Sequence, residues 1–151
     1  MAYDSLGFKM NNKGTIGFFP GNWDLCHVGQ VRALKEASEQ CDWLIVGIKE
    51  SNNDSPDKNQ PIMSVEERIE ILKAMKGIDD VIVYQSEAML KVIDADNVLN
   101  QDIRFMGIDH KKDKKYPTDA KIVYISRNHN YSSSGLRKRC YEAETERLKQ
   151  E

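Results

Sequence analysis

A histidine followed two residues later by a glycine, His27-Val28-Gly29, stands just beyond the break Pro20-Gly21-Asn22, which ends an apolar run, Thr15-Ile16-Gly17-Phe18-Phe19. The pattern reads as strand, turn and helix start. The first backbone N–H groups of a helix lack internal partners and point at whatever lies ahead, so such a junction binds anions. An imidazole there, beside a glycine that lets backbone approach closely, suits a phosphate; the plainer alternative is a helix start with an incidental histidine. A second element of the same kind follows the apolar run Lys121-Ile122-Val123-Tyr124-Ile125. There Arg127-Asn128-His129-Asn130-Tyr131-Ser132-Ser133-Ser134-Gly135-Leu136-Arg137 opens a charged helix with a run of hydroxyls. Serines are good helix caps. With Arg127 and Arg137 close by, the same hydroxyls and N–H groups also bind phosphate. Together the two elements read as two phosphate cradles closing on one nucleotide.

The remaining chain supplies the elements that must hold these cradles. Strands are expected over 15–19, 43–48, 80–84, 103–107 and 121–125, and helices over 27–40, 64–76, 86–95 and 132–149. Val28, Val31, Leu34, Ala37 and Cys41 recur at helical spacing. Trp43-Leu44-Ile45-Val46-Gly47-Ile48 is an unbroken apolar run, as in a central parallel strand covered on both faces. Residues 49–61 are polar and proline-containing and read as a loop; Ser64 with Glu67 forms a capping-box pattern after it. Strand and helix alternate throughout, which predicts an α/β fold, a single doubly wound parallel five-stranded sheet with ligands at the carboxyl ends of its strands. Both cradles then fall on that edge.

The chain's 151 residues suit one domain, since two would each be too small for a good core. The expected division is a loose lead-in over 1–13, the domain over 14–139 and the end of the terminal helix over 140–151. A net charge of -2 gives no reason to expect nucleic acid or an anionic membrane as partner. Cys26, Cys41 and Cys140 are odd in number and widely separated, which argues against a disulfide framework and for a reducing compartment. They also lack zinc-site spacing. No apolar run approaches the ~20 residues of a membrane span and no secretory leader opens the chain, so a soluble cytoplasmic protein is expected.

The motifs resemble those of the cytidylyltransferase-like nucleotidyltransferases. Asn22 to Gln30 is similar to their Thr-Phe-Asp-x-x-His-x-Gly-His signature, and Arg127 to Ser134 to their Arg-x-x-Gly-Ile-Ser-Thr-Thr element. Ser64 to Leu72 resembles the central Glu-x-Arg helix, and Phe105-Met106-Gly107-Ile108-Asp109-His110 falls where the family continues. The likeness spans roughly 14–139 with the motifs in order and is greatest to the small glycerol-3-phosphate cytidylyltransferases. It implies a Rossmann-like sheet and transfer of CMP from CTP, with Mg²⁺ accompanying the triphosphate, to a small phosphorylated acceptor. His27, Gln30, Lys58 and Arg127 are the catalytic residues it implies. Nucleotide contacts are implied for Phe19, Gly21, Asn22, Trp23, Gly29, Arg68, Gly107, Asp109, Tyr131, Ser132, Ser133 and Ser134. Lys76 lies where the family carries a further basic residue. Asp24 and Asp109 stand as holders of Mg²⁺ or nucleotide hydroxyls, or as helix caps; no residue is assigned as a metal ligand.

Three departures stand out. Gln30 replaces the second signature histidine and offers a hydrogen bond but no charge. Lys58 is the nearest counterpart of loop lysines that are out of register. Gly107-Ile108-Asp109-His110 has one carboxylate fewer than the family's Gly-Asp-Asp-Trp. Two other readings follow: an ATP-using adenylyltransferase of the same superfamily, whose Ile-Ser-Ser-Ser is close to Tyr131 to Ser134, and a nucleotide-binding homologue without catalysis. The resemblance further implies a homodimer, with Trp23, Leu25 and Trp43 expected at or near its contact.

Overall fold

The computed structural model describes residues 14–110 and 116–151. The lead-in expected over 1–13 lies outside the described residues. In chain order the elements are β1 (Ile16–Gly21), α1 (Val28–Ser38), β2 (Trp43–Lys49), α2 (Val65–Lys73), β3 (Asp80–Tyr84), α3 (Glu87–Ala95), β4 (Ile103–Gly107), a 3₁₀ turn (Ile108–His110), β5 (Lys121–Ile125) and α4 (Ser133–Lys149). The five strands form one parallel sheet in the order β3-β2-β1-β4-β5. This is the doubly wound α/β arrangement expected of the alternating pattern.

Successive residues of β1 point to opposite faces of the sheet, so each feeds a different core. Phe19 joins Leu34 of α1, Leu72 of α2, and Val46, Ile48 and Phe105 of the strands in one buried cluster. Phe18 joins Ile45, Tyr84, and Leu90 and Ile93 of α3 in the other. Helices thus cover both faces, and β2 is buried from Leu44 to Lys49. That burial on both sides explains its unbroken apolar run.

One strand end differs from expectation in a way that makes the site. β1 runs on through Pro20 and Gly21, pairing with Gly47 and Ile48 of β2. Its pairing with β4 is confined to Gly17 with Ile103 and Phe18 with Arg104. Beyond Phe18, β1 therefore has a neighbour on one side only, where a proline without an N–H is tolerated. The two central strands part there. A crevice opens between their carboxyl ends, at the point where the strand order reverses.

Helix starts are fixed by their caps. Ser64 and Glu67 form the full capping box of α2, with Ser64 N–H donating to the Glu67 carboxylate at 2.7 Å and Glu67 N–H to Ser64 Oγ at 3.1 Å. Ser132 caps α4 by accepting from Gly135 N–H at 2.9 Å. The 3₁₀ turn after β4 was not legible as an element, because it is a single turn without a periodic face.

Candidate functional site

A cavity of about 480 Å³ fills the crevice. Every site residue expected from the sequence lies on its wall except Arg68: His27, Gln30, Lys58, Arg127, Phe19, Gly21, Asn22, Trp23, Gly29, Gly107, Asp109, Tyr131, Ser132, Ser133 and Ser134. Lys76 is exposed and also off the wall.

The loop between β1 and α1 is pinned from within. Trp23 and Leu25 adopt left-handed backbone, with φ of 54° and 58°. Such positions are strained for side-chain-bearing residues and persist where surroundings fix them. Here the fixing is visible. The Trp23 indole N–H donates to the Gly47 carbonyl at 3.0 Å, and its ring meets Phe19 edge-on at 4.9 Å. Asp24 is buried, and its carboxylate accepts from Ile62 N–H at 2.8 Å and Met63 N–H at 2.9 Å. Of its two expected roles, Asp24 takes the structural one: it holds the approach to α2. Trp23 is likewise core, 8% exposed, which corrects its expected placement as an apolar group for a partner subunit.

Arg68 is the second correction. It is 1% exposed, and its guanidinium donates to the carbonyls of Asn22 at 2.9 Å, Lys49 at 2.7 Å and Glu50 at 2.8 Å, and to that of Ser64 at 3.3 Å. The cation spans the ends of β1 and β2 from beneath, and points at backbone rather than into the cavity. A short site wall built from strand ends leaves carbonyls unpaired, and one five-donor fork answers several of them.

His27 is the N-cap residue of α1, yet its side chain makes no capping bond. Its Nδ1 is shielded from solvent and has no hydrogen-bond partner; Asn22 Oδ1, on the same wall, is in the same condition. Burial lowers the proton affinity of His27 below the ordinary imidazole value, and the nearby His129 and Arg127 add to the effect. Each of these causes favours the neutral ring, and a nearby anion works in the opposite direction.

The two cradles meet at one carbonyl. Asp24 O accepts from Gln30 Nε2 of α1 at 2.9 Å and from Ser133 Oγ of α4 at 3.2 Å. One Gln30 N–H is thereby committed to backbone, while the residue still lines the cavity. Arg127 bridges to the Asp109 carboxylate at 2.5 Å, an ion pair with side chains 43% and 59% exposed. Exposure makes that pair weak and open to exchange with a stronger anion.

Sequence reasoning missed the opposite wall, formed by Lys49, Tyr84, Glu87, Arg104 and Tyr116, together with His129. Lys49 is 2% exposed and pairs with Asp54 at 2.8 Å and Glu87 at 3.0 Å. Burial works to lower its proton affinity, but the two carboxylates outweigh burial and the net shift is upward. Hydrogen bonding to Lys49 draws Asp54 down to about 2. Arg104, the second residue of β4, is buried against Asp94 at 3.1 Å. Among the described residues no cluster of three or more His, Cys, Asp or Glu is placed to hold a metal ion. Both Asp24 oxygens accept backbone N–H groups and Asp109 faces Arg127. The donor set suits a Mg²⁺ that arrives on phosphate oxygens better than one caged by protein.

Gly29 is the tightest point of the wall. A Cβ built there would lie 2.6 Å from His129 Cε1 and 3.0 Å from both Cε1 and Nδ1 of His27. Gly29→Ala should therefore leave the helix intact, since alanine is the better helix former, while displacing an imidazole. Turnover is expected to fall on the order of 10-fold for a shift of a few tenths of an ångström, with thermal stability within about 1 kcal/mol of the parent. Unchanged turnover in a steady-state assay would show that neither ring position matters.

A family model described as cytidylyltransferase-like matches residues 18–139. The bifunctional protein HldE of Hyphomonas neptunium is 32% identical over 100 residues, covering 65% of this chain and 20% of that protein. The FAD synthase of Ferroglobus placidus is 31% identical over 96 residues, covering 64% of this chain and 60% of that one. The chain thus spans about a fifth of the length of HldE. Among solved structures, the lipopolysaccharide core biosynthesis protein from Thermoplasma volcanium GSS1 superimposes with a TM-score of 0.66 at 24% identity, over 78% of this chain and 100% of that one. That likeness is one of fold.

Proposed function

The chain belongs to the cytidylyltransferase-like family, and on that premise we propose that it transfers a nucleoside monophosphate from a nucleoside triphosphate to a small phosphorylated alcohol, releasing pyrophosphate. The observation that supports this most is the meeting of both phosphate cradles in one cavity at the sheet's switch point, tied through the Asp24 carbonyl. CTP is the favoured nucleotide, on the Met106-Gly107-x-Asp109 pattern at the end of β4, and glycerol 3-phosphate represents the acceptor class. ATP is the second reading, favoured by similarity to a protein named FAD synthase and by the serine run.

In this reading the acceptor's phosphate oxygen attacks the α-phosphorus in line, and the bond from phosphorus to the bridging oxygen breaks as pyrophosphate leaves with its electron pair. Catalysis consists of positioning two anions and offsetting charge that builds on the leaving group. His27 donates to an α-phosphate or bridging oxygen. Gly29 admits the phosphates close to backbone, Arg127 exchanges Asp109 for the β- and γ-phosphates, and the first turn of α4 offers its N–H groups to the same oxygens. Lys58, exposed on the loop before α2, approaches from the open side. Mg²⁺, when present with the triphosphate, would add charge neutralisation at the pyrophosphate. Incubation with CTP or ATP and a panel of phosphorylated alcohols, following pyrophosphate release, tests the proposal. Release with CTP and not ATP is the expected result; release with neither would overturn it.

A cytoplasmic homodimer belongs to the same proposal. No helix among the described residues is long and apolar enough to cross a membrane. With Trp23 buried, the exposed apolar groups near the first motif are Val28 and Val31 of α1, at 41% and 42% exposure. They are three residues apart and share a helix face. Sedimentation should show a dimer at micromolar concentration that Val31→Glu dissociates; a parent chain sedimenting only as a monomer would refute it.

A further inference from the structure

We propose that His129 is a second catalytic imidazole, which contacts the reacting phosphates beside His27 and fills the role that Gln30 does not. The inference rests on the nucleotidyl-transfer reading above and adds to it a residue outside both motifs' matched positions.

Four observations converge on it. First, His27 and His129 come from opposite ends of the chain, yet both rings hang over one point above the bare Gly29 Cα. A larger residue at 29 would separate them. Second, His129 is held in one orientation. Its Nδ1 accepts from Tyr131 N–H at 3.1 Å, and its ring lies 5.4 Å from that of Tyr131. An Nδ1 that accepts leaves Nε2 as the N–H donor, the form that hydrogen-bonds an oxyanion. Third, one N–H of the Gln30 amide is taken by the Asp24 carbonyl at 2.9 Å, so the position that would carry a second histidine on α1 offers the cavity no imidazole and at most the remaining N–H of a neutral amide. Fourth, the neighbouring His27 Nδ1 is shielded and unpartnered. With Nδ1 turned inward, Nε2 is the His27 nitrogen left to meet a ligand in the cavity.

The groups around this point are His27 from the start of α1, Arg127 and His129 from the loop after β5, and Asp109 from the 3₁₀ turn, which pairs with Arg127. Two imidazoles meet over one glycine, with the Arg127 guanidinium on the same cavity wall, and phosphate oxygens there can accept from all three. During transfer, His27 and His129 each donate one hydrogen bond to the α-phosphate or bridging oxygen. The acceptor oxygen forms its bond to phosphorus, the bridging bond breaks, and pyrophosphate departs with the electron pair. No proton need leave either ring, so the pair acts by oriented hydrogen bonds.

The test uses the full chain with ¹³C-labelled histidine, CTP and ATP added separately with Mg²⁺, and ring resonances followed by NMR. The His129 signal is assigned by its loss in His129→Gln. Expected is a joint shift of the His27 and His129 signals on nucleotide addition. His129→Gln should lower kcat by about 10²-fold, with KM within a few-fold and the melting temperature unchanged. The inference is overturned if nucleotide moves His27 and leaves His129 still, or if the variant turns over like the parent. If neither nucleotide binds and no pyrophosphate is released by the parent, the nucleotidyl-transfer reading itself fails and takes the inference with it. Should that variant not fold, the His129 signal is assigned by elimination with His27→Gln and His110→Gln, and the NMR result on the parent chain then decides.

Discussion

His27→Ala should lower turnover by roughly 10²- to 10³-fold, the loss that follows removal of one preorganised donor to a developing oxyanion. Substrate affinity should change far less. In the proposed reaction ground-state phosphate is also held by Arg127 and the start of α4, whereas His27 would be worth most where charge builds on the bridging oxygen. The pH profile gives a second handle. His27 is pulled below the ordinary imidazole value by burial, then by His129 and Arg127. The free chain therefore holds the His27 proton less readily than an ordinary imidazole does, with Nδ1 unpartnered. Its folded-state affinity for a proton is depressed, so its linkage to stability is fully present above the unfolded value and is lost as pH falls toward the folded one. Removing the ring should flatten that acid limb of the stability curve. Steady-state kinetics and urea melts between pH 5 and 8 check both parts. A His27→Ala protein with parental turnover would remove the imidazole from the mechanism.

How far the sequence led depends on whether a residue's role was local. The sheet was legible because each strand is a short apolar run set between breakers, and because the uninterrupted run of β2 has one physical reading, burial on both faces. Ser64 and Ser132 were legible as caps because capping is a matter of three residues. The wall residues on the two motifs lie where the spacing put them, since a helix start and its preceding turn form a rigid unit. Roles that depend on long-range contacts were not legible. His129 gains its position from Gly29, and Asp24 gains its role from Ile62 and Met63. Arg104 in β4 reads as an interruption of an apolar strand until Asp94 is seen behind it. Tertiary pairing of that kind leaves no mark on periodicity.

Arg68 shows the limit most sharply, and it carries the other large expected effect. On an amphipathic helix a lone arginine on the inner face is either aimed at a ligand or buried among acceptors, and spacing is the same in both cases. The structure gives it backbone carbonyls on three segments. Arg68→Met keeps much of the volume but strips the guanidinium donors from the Asn22, Lys49 and Glu50 carbonyls, while Ser64 O keeps the backbone N–H of residue 68. Removing one side of a buried charged network costs about 3–5 kcal/mol. For a chain of this size each kilocalorie lowers the melting temperature by roughly 2–4 °C, so a fall of about 10 °C is expected. Activity should fall only as far as the loop of Asn22 and Trp23 loosens, and should recover in part at lower temperature. A ligand role predicts the reverse: a melting temperature near that of the parent, with turnover or nucleotide affinity lost at every temperature. Calorimetry beside kinetics at two temperatures separates the two, and a stable but inactive Arg68→Met would return this arginine to the nucleotide.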